Sequence, residues 1–138
     1  MNNRKKGSPV GEIALFYPCD SLSRQITSWA RKHPGCTVRS SFSKVLPEIR
    51  SVLERVDVAV VDATEDHAQA ADAFLQASAR LGTTGAAMYS ERMHDDMELF
   101  VRSRGALVLL GPLDEAEWDG FLDRAVYGKR ERSWRKAA

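Results

Sequence analysis

The stretch VDVAVVDATED, residues 56–66, decides the fold. Four of the five residues before Asp62 are apolar and β-favouring, so the run reads as a strand buried on both faces. A carboxylate then stands where such a strand would leave its sheet. Either that acid does chemistry at the sheet edge, or it caps the element that follows with help from Thr64.

Outward from this strand, strand and helix signals alternate. EIALFYP (12–18) is an apolar run closed by proline, and ALVLLGP (106–112) is the last and most apolar of these runs. CTVRSSF (36–42) alternates Cys36, Val38, Ser40 and Phe42, the pattern of a strand near a sheet edge, and TGAAMYS (84–90) is a short strand of small residues. Between them lie amphipathic stretches. DSLSRQITSWARKHPG (20–35) puts Leu22, Ile26, Trp29 and Ala30 on one helical face. Residues 43–56 space Val45, Ile49, Val52, Leu53 and Val56 for a helix, with Pro47 tolerable only in its first turn. Residues 65–82 turn Ala70, Ala71, Phe74, Leu75 and Ser78 inward and stop at Gly82; residues 91–105 do the same with Met93, Met97, Phe100 and Val101 and stop at Gly105. The last helix, 114–132, opens with Asp114 as N-cap, Glu117 at the capping-box position and Leu113 against Trp118 as a staple.

Five strands alternating with five helices predict an α/β fold, a three-layer (βα)₅ doubly wound parallel sheet. About 120 residues suit the flavodoxin-like order 2-1-3-4-5, whose sites form at the carboxyl ends of the strands. YPCDS (17–21), Asp62, Ser90 and the Gly111–Pro112 step then gather along one edge.

Composition bounds the function. The 138 residues are the size of one domain, with 43% apolar and 28% charged residues, and no run approaches a membrane span. Cys19 and Cys36 have no metal-ligand spacing and fit a reducing, cytoplasmic setting. Residues 1–9 carry a charge of +3 and residues 129–138 a charge of +4; a total of +1 therefore leaves −6 on the body, residues 10–128. The basic ends are read as solvated tails, too short and motif-poor for specific nucleic-acid binding. CDSLSR (19–24) has one residue too few between Cys19 and Arg24 for a cysteine-phosphatase loop, and His33, His67 and His94 show no ligand spacing.

Residues 10–128 resemble the receiver domains of bacterial two-component response regulators, the CheY-like family. The resemblance lies in element order, in the Asp ending strand 3, in the hydroxyl ending strand 4 and in the X-Pro step ending strand 5. It implies that Asp62 matches the phosphoacceptor, Ser90 the switch hydroxyl and Pro112 the proline of strand 5. It also implies a histidine kinase or output protein as partner, with contacts through the face of helix 4, strand 5 and helix 5. On that face Arg92, Asp95, Asp96 and Arg102 would join Asp119, Asp123 and Arg124, a mixed-charge surface suited to a homodimer.

The departures carry more weight. The family's Mg²⁺-holding acidic pair falls on Pro18 and Cys19, with Asp20 one residue further on; its lysine falls on Gly111; its aromatic on strand 5 falls on Val108. Mg²⁺ prefers hard oxygen ligands, and phosphoryl transfer to a carboxylate needs positive charge close by. No arginine or lysine is an obvious substitute for the missing lysine, although Arg92 would reach if its helix were suitably placed. The expectation is a stand-alone pseudo-receiver that signals by protein–protein contact and uses no cofactor, followed by no effector domain. The alternative is a phosphorylatable receiver, with Asp62 as acceptor and Mg²⁺ held by Asp20 and Asp62.

Overall fold

The computed structural model describes residues 11–81, 85–92, 95–104 and 106–125. The elements run β1 (Gly11–Phe16), α1 (Asp20–Arg31), β2 (Cys36–Ser41), α2 (Leu46–Leu53), β3 (Val58–Asp62), α3 (His67–Leu81), β4 (Ala86–Ser90), α4 (Asp95–Ser103), β5 (Leu107–Leu110) and α5 (Glu115–Trp118), which passes into a π-helical turn, Asp119–Asp123. All strands are parallel, in the order β2-β1-β3-β4-β5. The doubly wound sheet expected from the alternation is the one observed. The tails at 1–9 and 129–138, the stops Gly82 and Gly105, and Met93 and His94 lie outside the described residues.

Strand periodicity divides the core in two, because successive side chains leave opposite faces of the sheet. Ala59 and Val61 of β3 pack with Ala14, Phe16, Ile49, Leu53, Phe74 and Met88 under α2, α3 and α4. Val58 and Val60 pack with Ile13, Leu15, Leu22, Ile26, Trp29, Tyr89, Trp118 and Leu122 under α1 and α5. Every residue of β3 and β4 is buried, as inner strands covered on both faces must be.

Local chemistry sets the helix ends. Pro47 does lie in the first turn of α2, where its missing N–H costs nothing. Asp114 and Glu117 form the reciprocal capping box that starts α5, and Leu113 and Trp118 pack in one cluster. Three expectations need correcting. Helix α3 buries Ala73 and Ala77 beside Ala70 and Phe74, so its inward face is rotated away from Ala71, Leu75 and Ser78. Strand β5 is half-exposed, because it forms one edge of the sheet. Phe42 is 64% exposed while Ser41 is buried, so the alternation of β2 fails at its end.

Candidate functional site

The carboxyl ends of β1, β3, β4 and β5 meet at one edge, and Asp62 sits there only 3% exposed. Both its oxygens are engaged by the backbone. Its Oδ2 accepts from the Cys19 N–H (2.7 Å) and its Oδ1 from the Thr64 N–H (2.8 Å). Cys19 is the N-cap residue of α1, so Asp62 ties the start of α1 to the end of β3. It does not cap α3: Asp66 does that, accepting from the Gln69 N–H at 3.0 Å. Thr64 Oγ1 instead accepts from the Glu91 N–H at 3.1 Å, which joins the loops after β3 and β4.

Sheet register separates the two residues matched to phosphoacceptor and switch. Asp62 pairs with Tyr89 across β3 and β4, so those side chains leave the sheet on the same face. Ser90, one residue on, leaves on the other. Its buried hydroxyl accepts from the Arg92 N–H (3.1 Å) and donates to the Arg92 carbonyl (2.7 Å), closing a local turn at the end of β4. That geometry makes Ser90 a turn residue. Arg92 is exposed and Asp20, first residue of α1, is exposed as well.

A polar network fills the place where the resemblance calls for a lysine. The Tyr89 hydroxyl donates a hydrogen bond to Glu91 Oε2. Gln25, on α1, brings its Nε2 within reach of the Tyr89 hydroxyl (2.9 Å), the Ser21 hydroxyl (2.9 Å) and Glu91 Oε2 (3.3 Å). Its Oε1 accepts from the Leu113 N–H (2.9 Å) and the Trp118 indole N–H (3.0 Å). One glutamine thereby holds α1, the end of β4, the β5–α5 loop and α5 together. Gly111, preceding the cis peptide to Pro112, is forced by this arrangement. A Cβ there would stand 2.3 Å from Cε2, 2.4 Å from the hydroxyl and 2.5 Å from Cζ of Tyr89. Tyr89 is fully buried and stacks near Trp118, so its ring has nowhere to go.

The electrostatics follow from this packing. Burial first, then the hydrogen bond to the Asp62 carboxylate, pushes the Cys19 thiol above its ordinary range, although a backbone hydrogen bond at Leu22 opposes them. A thiol held protonated is a poor nucleophile. Burial, then the bond to Glu91, raises the Tyr89 phenol. Glu91 is shifted down because Ser21, Tyr89 and Gln25 all donate to its ionised form.

Mg²⁺ does not fit this edge. Pro18 offers no ligand, Cys19 offers a protonated thiol, and backbone N–H groups are aimed at both Asp62 oxygens. Among the described residues no trio of potential ligands converges on Asp62, and no salt bridge reaches it. A cavity of about 280 Å³ does open beside it, lined by Lys44 from the β2–α2 loop and by Glu65 and Asp66. Sequence reasoning missed Lys44, Tyr89 and Gln25. Gln25 and Tyr89 are 64 residues apart, and only the register brings them together.

Two solved structures are similar over most of the chain. A CpaE2 pilus assembly protein from Sinorhizobium meliloti 1021 has 17% identity and a TM-score of 0.54, over 83% of this chain and 98% of that one. The beryllofluoride-activated NtrC receiver domain has 18% identity and a TM-score of 0.53, over 86% of this chain and 95% of that one. No protein-family model and no curated protein sequence matches. The chain has the fold of the CheY-like receiver domains.

Proposed function

We propose that this chain is a receiver-like signalling module that works through protein–protein contacts, without Mg²⁺-dependent phosphorylation of Asp62. The observation that carries this reading is the occupied lysine position, where the Tyr89 ring excludes any side chain at residue 111. A phosphoryl group on Asp62 would also have to displace the backbone hydrogen bond on the oxygen it takes, from Cys19 or from Thr64, with no salt-bridged cation beside it among the described residues. Loss of one oriented charge at such a centre typically costs about 10²–10³ in rate. The NtrC neighbour was solved in a beryllofluoride-activated form, so the same reagent is the natural test. Incubation with Mg²⁺ and beryllofluoride is expected to leave the ¹⁹F and amide spectra free of a bound species. A saturable response abolished by Asp62→Asn would establish the alternative, a phosphorylatable receiver served by a histidine kinase.

The contact surface in this proposal is the face of α4 and β5. Leu99 is 68%, Leu107 44% and Leu110 40% exposed there, three large apolar side chains on one edge of the sheet. Leu107 and Leu110, three residues apart, leave opposite faces of β5, and exposed apolar side chains on an open edge strand favour association. Asp119 and Asp123, expected on this face, lie instead against the end of α1. No helix among the described residues is long and apolar enough to cross a membrane; with two cysteines in no disulfide, a cytoplasmic module is the reading proposed.

A further inference from the structure

At the far end of α1, His33 meets two carboxylates of the π-helical turn. Its Nδ1 lies 2.9 Å from the Trp29 carbonyl. A carbonyl only accepts, so Nδ1 carries the proton there, and the neutral ring presents a lone pair at Nε2. That Nε2 lies 3.6 Å from Asp119 Oδ1 and 3.6 Å from Asp123 Oδ1. Three electron-rich atoms thus converge within 4.8 Å of one another.

Hydrogen bonding alone accounts poorly for this cluster. A separation of 3.6 Å is beyond a normal hydrogen bond. Asp123 Oδ1 is shielded from solvent and finds no hydrogen-bond partner among the described residues. The nearby Lys32 ammonium is committed elsewhere, 2.7 Å from Glu115. The two separations from His33 Nε2 are, however, those of ligands around a small metal ion. Tetrahedral bonds of about 2.0–2.2 Å place ligand atoms about 3.3–3.6 Å apart. The supporting shell is present too. The Trp29 carbonyl holds the imidazole by its other nitrogen, the Trp29 ring stacks on it at 3.8 Å, and the Trp29 indole N–H fixes Asp119 Oδ1 at 2.6 Å. The wide turn 119–123 keeps both aspartates on one side of the helix, and such π insertions occur often at functional sites.

We propose that His33, Asp119 and Asp123 bind a divalent transition-metal ion of the zinc class, with a fourth position open to solvent. One imidazole and two carboxylates suit Zn²⁺, while Mg²⁺ and Ca²⁺ prefer all-oxygen shells. Bound there, the ion fastens the end of α1 to α5, on the opposite side of the sheet from α3. This site is independent of Asp62 and of the signalling proposal.

Titration of the chelator-treated full chain with ZnCl₂ by calorimetry is expected to give one saturable site. Co²⁺ in its place should produce the visible bands of a tetrahedral centre, and either ion should change Trp29 fluorescence. His33→Gln should weaken binding roughly 100-fold and Asp123→Asn at least about tenfold; the second change is nearly isosteric, which keeps the comparison meaningful if the first disturbs the fold. Absence of saturable binding would overturn the proposal, and so would unchanged affinity in Asp123→Asn.

Discussion

Tyr89 and Gly111 are packed against each other at the carboxyl edge of the sheet. Because a Cβ at 111 would overlap the Tyr89 ring, Gly111→Lys should destabilise the fold by about 1–3 kcal/mol in urea denaturation, the usual range for overpacking a filled core. Adding Tyr89→Ala should remove part of that penalty, so the double variant loses less than the two single losses combined. Glu91 supplies a pH signature. Its folded-state carboxyl is shifted below its ordinary value of 4.5, so it contributes stability that is present above that value and lost as pH falls through the folded one. Stability measured from pH 5 downward should therefore fall more gently in Glu91→Gln than in the parent. Cys19, raised by burial and by Asp62, should alkylate more slowly at pH 8 than an open thiol, as site-resolved mass spectrometry will report.

Among the elements, strands and helices were legible because apolar spacing reports burial, and burial is what makes them. Asp114 and Glu117 announced the start of α5 from sequence alone, and Asp114→Ala should cost about 0.5–2 kcal/mol on thermal or urea melting. What stayed hidden depends on register or on contacts distant in the chain. An acid ending a strand looks the same whether it takes a phosphate or secures a neighbouring N–H. The pairing of Asp62 with Tyr89 and the bond to Cys19, which show what the acid secures here, come only with the fold. His33 showed no ligand spacing because its companions come from α5, on the other side of a chain of intervening strands. The rotated face of α3 has a simpler cause: alanines are small enough to sit inside or outside, so periodicity does not choose among Ala70, Ala71 and Ala73.

For the whole molecule, the two sheet edges are unequal. β2 ends beside the loop carrying Phe42 and Lys44, whereas β5 carries the exposed Leu107 and Leu110 and α4 the exposed Leu99. If association runs through the face of α4 and β5, Leu99→Asp should abolish concentration-dependent assembly in sedimentation equilibrium while leaving the melting profile within about 0.5 kcal/mol, the usual effect of a surface change. Persistence of assembly in that variant would move the contact to another face.

The tyrosine wedged against Gly111 also limits which substitutions this corner of the molecule can accept. An amine placed at 111 first meets a clash, and removing the ring first leaves a hollow that large-to-small changes make costly. A side chain at 111 would therefore require two substitutions to arrive together.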